Sequence, residues 1–239
     1  AAKKGIWVCN VPGYCNSEVA DHTLALLLAC YKRVCTHYTL VKAGIWDFKA
    51  AGKIHRLAGQ KLGIIGFGRI GREVARRAQS FDFRIVVYDP FIDPSKNNMD
   101  NCVFVDTLES LLEQADAITV HMPLTEDTRG MLSEAEFNHL KPGAVVINAA
   151  RGALVDPKAL LRALEKGTVS FAGLDVFETE PATDVSLTLA THPRVVATPH
   201  VAFYSEEAEA EVRTRAMEEV CRVLNGKEPL HPVNKIVSQ

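Results

Sequence analysis

Short apolar runs alternate with amphipathic stretches along most of this chain, and the alternation becomes regular from Lys61 onward. Leu62–Ile65, Arg84–Tyr88, Ala117–Val120 and Ala144–Ile147 read as buried strands, with Cys102–Val105 as a shorter one. Between them Ile70, Val74, Ala75 and Ala78 recur at helical spacing, as do Leu108, Leu111 and Leu112. Glu134–His139 reads as a short helix. Pro157 sits near the start of a helix through Leu160, Leu161 and Leu164 that Gly167 ends. Phe171–Leu174 and Val195–Ala197 complete the strands, and Ser205 caps a long last helix that stops near Asn225-Gly226. Ahead of the regular region, Gly5–Asn10 reads as a short strand and Pro12-Gly13 as a turn. Ser17–Val34 reads as a helix with apolar residues on nearly all sides, hence buried on several. Residues 90–101 form a polar loop with two prolines.

Strands alternating with helices imply right-handed crossovers and a parallel sheet covered on both faces, an α/β doubly wound fold. In such sheets ligands sit at the carboxyl ends of the strands. The expected division is residues 1–204 as the sheet domain, with the leading strand and buried helix, and 205–239 as a helix and tail.

Composition narrows the function classes. The chain has 239 residues, enough for a sizeable core, a net charge of −2 and no basic stripe, so nucleic acid is not an expected partner. The longest strongly apolar run, Leu24–Tyr31, is too short for a bilayer, and no membrane role is expected. The six cysteines show no C-x-x-C and no zinc spacing, which suits reduced thiols in a cytoplasmic protein without a metal.

The stretch from Gly66 to Gly71 is a G-x-G-x-x-G turn after an apolar strand and before a helix, with Asp89 following about 20 residues on. Gly66 permits the turn, Gly68 lets the backbone approach a pyrophosphate, and Gly71 lets helix and strand pack closely. Free N–H groups at the helix start favour phosphates. A carboxylate at Asp89 suits the ribose hydroxyls of NAD and repels the 2′-phosphate of NADP. A simple strand-end turn before Pro90 is the competing reading of that residue.

The remaining strand ends carry further chemistry. His121-Met122-Pro123 follows the fourth strand, where a lone histidine is more often structural. Arg151 follows the fifth. It can offer its planar fork to a carboxylate, or simply form a surface ion pair. Asp175, Glu178 and Glu180 follow the sixth, and Thr198, Pro199 and His200 the seventh. Arginine, carboxylate and histidine converging beside a nicotinamide would equip a cleft to reduce a 2-keto acid: arginine binds the carboxylate, histidine supplies the proton, glutamate holds the imidazole.

Several motifs now coincide: Val19-Ala20-Asp21-His22-Thr23, the Gly66–Gly71 turn, Tyr88-Asp89-Pro90, Asn148-Ala149-Ala150-Arg151-Gly152, the stretch from Leu174 to Pro181, and Thr198-Pro199-His200-Val201-Ala202. With them the chain resembles the D-isomer-specific 2-hydroxyacid dehydrogenases, from about Gly5 to its end. The resemblance implies a Rossmann NAD-binding domain, an NAD-dependent oxidoreductase activity on a 2-hydroxy or 2-keto acid, and Arg151, Glu180 and His200 as the catalytic trio. It implies that Arg69 and Ile70 touch the pyrophosphate and that Thr23 and Thr128 lie near the cofactor. Ala149, Ala150, Arg151, Asp175, His200 and Ala202 would line the nicotinamide side, with Asp175 on its carboxamide. His121, Met122 and Pro123 become cofactor wall.

Residues 200–207 are most similar to the branch holding the C-terminal-binding protein corepressors and their phosphoglycerate-dehydrogenase-like relatives, with Phe203 where the corepressors carry tryptophan. Relatives of this kind begin with a flavodoxin-like substrate domain, and this chain starts about where that domain hands over. The resemblance also places the Ser17–Val34 helix at a twofold homodimer interface. A purely intramolecular core helix is the competing reading. Two other functions stand beside the enzyme: a corepressor-like NAD sensor whose dimerisation is its task, and a bare NAD-binding module.

Overall fold

The computed structural model describes residues 1–93 and 100–236. Residues 94–99 of the expected polar loop at 90–101 therefore lie outside the described residues. The described chain forms two compact units, one within residues 19–202, the other of residues 1–18 together with 203–236.

The larger unit is built on a seven-stranded, wholly parallel sheet. Its strands are β1 (Lys61–Ile65), β2 (Arg84–Tyr88), β3 (Cys102–Phe104), β4 (Ala117–Val120), β5 (Ala144–Asn148), β6 (Val169–Leu174) and β7 (Val195–Ala197). Their order is β3-β2-β1-β4-β5-β6-β7, with register such as Ile65 opposite both Tyr88 and Val120. The chain reverses direction of travel across the sheet between β1 and β4, and the crevice beyond that switch point is where such sheets take ligands.

Alternation along each strand sorts the side chains into two layers. Ile64, Ile85, Val87 and Ile147 pack with Ala20, Leu24, Leu27, Val74 and Ala78 on one face. Ile65, Val86, Ile118 and Val146 pack with Leu111, Phe137, Leu160 and Leu189 on the other. Thus α1 (Asn16–Lys32) and, after it in the chain, α3 (Arg69–Gln79) cover one face. The other is covered by α4 (Leu108–Gln114), α5 (Glu134–Asn138), α6 (Pro157–Lys166) and α7 (Asp184–Ala190). Local signals account for several ends. Thr107 accepts from Ser110 N–H, a Ser133/Glu136 capping box opens α5, and Asp156 caps α6, which ends at Gly167 with φ 81°.

The structure departs from the sequence reading in four places. The Ser17–Val34 helix ends at Lys32. Arg33 adopts a left-handed conformation (φ 56°), and a separate helix, α2 (Val34–Lys42), follows. No glycine or proline announces that break. The buried apolar residues of α1 pack against the sheet of their own chain, whereas α2 buries none of its residues. Helix α7 lies in a stretch to which the sequence reading gives no element, and its apolar residues Val185, Leu187 and Leu189 alternate along the chain. The residues it buries, Ser186 and Leu189, are three apart. Finally, Gly5–Asn10 forms no strand beyond a single antiparallel bridge from Cys9 to Pro232.

That segment belongs to the smaller unit. Val8 N–H donates to Asn234 Oδ1, Asn234 Nδ2 to Ile6 carbonyl, and Val233 N–H to Val8 carbonyl. The last helix, α8 (Glu206–Leu224), starts at Ser205, whose hydroxyl oxygen accepts from Ala208 N–H at 2.9 Å. Among the described residues no helix is long and apolar enough to cross a membrane.

Candidate active site

The glycine turn links β1 to α3, and each glycine answers a separate constraint. Gly66 has φ 93°, and a β-carbon there would lie 2.8 Å from the His121 carbonyl carbon. A β-carbon at Gly71 would lie 2.3 Å from Gly66 O, so helix and turn close only without one. A β-carbon at Gly68 would meet nothing within 4 Å. The protein itself has no need of glycine at that point, so the open space suits a ligand that must approach the backbone. Gly68 is also the N-cap of α3 and carries no side-chain cap, which leaves the first helical N–H groups for an anion. A dinucleotide pyrophosphate fits this cradle. Arg69 is exposed and Ile70 half-buried beside it.

Asp89 braces the turn. Its Oδ2 accepts from Phe67 N–H at 2.7 Å and its Oδ1 from Phe91 N–H at 2.9 Å. A carboxylate has about four acceptor positions, so two remain for ribose hydroxyls. The turn reading and the ribose reading of Asp89 are therefore compatible.

Across the switch point, His121 N–H donates to Ile65 carbonyl at 2.7 Å, and its Nε2 lies 3.0 Å from Thr119 Oγ1. Burial lowers the His121 pKa from 6.5 to about 4, so the imidazole is neutral near pH 7 and presents an uncharged wall. The folded pKa lies below the unfolded one, so the unfolded chain takes up this proton first on acidification. Stability from this group is present above about 6.5 and is lost as pH falls toward about 4. In thermal unfolding followed across that window, His121→Gln should flatten the acid limb of the midpoint. An unchanged limb would show that His121 does not set it.

Met122 is buried at 4% exposure beside the exposed Pro123. Thr128 donates its hydroxyl to Pro123 carbonyl at 2.6 Å and so staples the loop. Thr23 is wholly buried, and its hydroxyl donates to Val19 carbonyl within its own helix. It is therefore engaged in packing α1.

After β5, the buried Asn148 accepts from Ala150 N–H and donates to the Arg151 carbonyl. Ala149 is buried, Ala150 half-buried, and Arg151 projects as an exposed side chain that bonds the Ala150 carbonyl. A β-carbon at Gly152 would fall 2.0 Å from the Phe177 carbonyl carbon. The loops after β5 and β6 thus meet backbone to backbone, and this brings Arg151 to the glutamate loop. There Glu180, which precedes a cis peptide to Pro181, accepts from Phe177 N–H through Oε1 at 2.9 Å. Its Oε2 lies 2.6 Å from His200 Nδ1. Glu178 is exposed, and the glutamate that meets the histidine is Glu180.

Asp175 organises the segment that carries His200. Its carboxylate is fully buried. Oδ1 accepts from Thr198 hydroxyl at 2.6 Å and Val201 N–H at 2.9 Å, and Oδ2 from Ala202 N–H at 2.9 Å. Its carbonyl accepts from His200 N–H, and His200 is held at φ 54°. His22 of α1 completes the group, with Nε2 at 2.9 Å from Thr198 Oγ1 and 3.5 Å from Asp175 Oδ1. The single Thr198 proton goes to Asp175, so His22 is the donor to Thr198.

Asn148, His22 and Thr198 fall in motifs the sequence shows, but the sequence reading gives them no role in the site. Asn148 had a readable signal, an Asx residue at a strand end where its side chain bonds the backbone two residues on. His22 stands in the Val19–Thr23 motif, but no local pattern gives its partner, because only tertiary packing brings α1 to Thr198.

Comparison with known proteins places the chain in a family. The family model described as D-isomer specific 2-hydroxyacid dehydrogenase, NAD binding domain, matches residues 24–202. D-3-phosphoglycerate dehydrogenase of Bacillus subtilis is 39% identical over 98% of this chain, which spans 44% of that protein. Hydroxypyruvate reductase of Thermotoga maritima is 39% identical over 94% of this chain, here 72% of that protein. The crystal structure of D-lactate dehydrogenase from Aquifex aeolicus complexed with NAD and lactic acid superposes with a TM-score of 0.87 at 34% identity. That match covers 93% of this chain and 71% of the other. The chain belongs to the D-isomer specific 2-hydroxyacid dehydrogenases and carries their NAD-binding domain.

Proposed function

We propose that this chain forms the cofactor half of a cytoplasmic NAD-dependent oxidoreductase that passes a hydride between NAD(H) and C2 of a 2-hydroxy or 2-keto acid. The observation that carries the reading is the His200–Glu180 contact of 2.6 Å, set on the same sheet edge as the glycine turn and Arg151. NAD supplies the hydride when bound. Glu180, as the acceptor, holds Nδ1–H of His200, so proton exchange with the substrate oxygen runs through Nε2. Arg151 pairs with the substrate carboxylate and polarises the keto group. In the relatives, substrates span phosphoglycerate, hydroxypyruvate and lactate by name, and the reading here stops at the 2-hydroxy acid class. NADH oxidation against a panel of 2-keto acids tests it. Turnover on at least one supports the enzyme, while tight NADH binding with no turnover on any favours the corepressor-like or bare-module alternatives.

The second copy in a homodimer would cover the apolar surface of α2 and the segment after it. Val34, Tyr38 and Val41 are exposed, and so are Trp46 at 89% and Phe48 at 80%, and large apolar side chains exposed in number mark interaction surfaces. Sedimentation should give the mass of two chains, falling to one in Trp46→Glu/Phe48→Glu. A single-chain mass for the unmodified protein would remove the dimer.

A further inference from the structure

The amino-terminal edge of the sheet, opposite the glycine turn, holds a second group of cationic side chains. A cavity of about 250 Å³ opens there, lined by Tyr31, Arg33, Lys53 and His55 with Gly143 and Ser170 from the starts of β5 and β6. Two buried donors of the residues that line it have no partner among the described residues. Tyr31 is 8% exposed, and its buried hydroxyl makes no hydrogen bond. The Arg33 Nε–H is likewise buried and unmatched. Native proteins rarely leave such groups unpaired, and a missing ion or ligand is one of the few causes.

The same residues are set in place as a binding site requires. The Arg33 guanidinium lies 3.5 Å over the Phe171 ring and donates Nη1–H to Cys30 carbonyl at 3.2 Å, which fixes its plane. Burial pushes the Tyr31 hydroxyl pKa well above its ordinary value, so it remains a neutral donor. The acid whose charge acts on Tyr31, Asp116, is paired with Lys141 at 2.8 Å, and Arg194 adds positive charge near Arg33. Lys53 and His55 are exposed.

We propose that this cavity binds a phosphate-type oxyanion, either inorganic phosphate or the phosphate of a small ester, through Arg33, Lys53, His55 and the Tyr31 hydroxyl. Donors drawn from the end of α1, the α1–α2 junction and the segment before β1 suit a tetrahedral acceptor with several oxygens better than a carboxylate with two.

The test titrates this chain with inorganic phosphate at constant ionic strength, with and without saturating NADH, and reads the thermal midpoint and direct binding. A saturable rise that persists with NADH separates this cavity from the glycine turn, and it holds whether or not the chain turns over a keto acid. Lys53→Ala/His55→Ala should weaken phosphate binding by about tenfold or more. Tyr31→Phe should weaken it several-fold while leaving the unliganded midpoint at or above that of the unmodified chain, because it removes an unpaired buried hydroxyl. Methyl phosphate as a second probe assigns the natural ligand to an ester if it binds tighter and to the free anion if it binds weaker. The proposal is overturned if binding is not saturable, if NADH abolishes it, if acetate matches phosphate, or if both variants bind as the unmodified chain does.

Discussion

His200→Ala is expected to reduce turnover by about 10²–10⁴-fold, the span of a lost general acid, with NADH affinity nearly unchanged. The imidazole reaches its position through two constraints. Its backbone is held at φ 54° by hydrogen bonds from His200 N–H to the Asp175 and Thr198 carbonyls. Its ring is held by Glu180, itself fixed by Phe177 N–H. Alanine leaves the first constraint intact and removes the proposed proton donor, and the cofactor cradle around Gly68 and Asp89 is untouched. Glu180→Gln should cost less, because the amide keeps a hydrogen-bonding oxygen and loses only the charge beside the ring. The readout is kcat with the best keto acid beside the NADH dissociation constant from fluorescence. Normal turnover in His200→Ala, or a comparable loss of NADH binding, would remove His200 from the proton-transfer role.

The second large effect is on stability. Asp175→Ala should destabilise the larger unit by about 3–5 kcal/mol, because it strands Thr198 hydroxyl, Val201 N–H and Ala202 N–H in a buried site, at about 1–3 kcal/mol for each unmatched group. For a unit of this size that corresponds to a midpoint lower by about 2–4 °C per kcal/mol. The same loss should free the segment bearing His200, so activity falls further than stability alone explains. Asp175→Asn tests the charge separately. It retains the shape and one acceptor oxygen but places an NH₂ against at least one of the three donors, and should be intermediate. If Asp175→Ala leaves the midpoint within about 1 kcal/mol of the unmodified chain, the hydrogen-bond set around the carboxylate does not carry the segment. The resemblance assigned Asp175 to the nicotinamide carboxamide. The observed partners add a task inside the protein, and this variant measures it.

The strands, the helices that follow them and the glycine turn were legible because each is a local pattern. Leu62–Ile65 before Gly66, or Asp156-Pro157 before an amphipathic run, state their structure within a few residues. The break at Arg33 was not, since a non-glycine residue in a left-handed conformation has no sequence mark. Helix α7 was not, since its apolar residues alternate while its burial follows the turn of a helix. In the site, Arg151, Glu180 and His200 stood out as chemistry at strand ends. Asn148, Thr198 and His22, which hold that chemistry in place, did not, because polar residues of ordinary type gain their meaning from their partners.

The amino-acid sequence by itself determined the parallel doubly wound sheet and the dinucleotide turn, and it put the candidate catalytic groups on one sheet edge. Hydrophobic period, glycine placement and strand order act over short range or through general topological rules, so they can be read without coordinates. Only the tertiary structure decided how those groups are aimed: the Gly152–Phe177 backbone contact that joins two loops, the buried Asp175 that sets His200, and the unmatched donors at the far edge. Each depends on residues distant in sequence meeting at atomic separation, and no local pattern encodes such a distance.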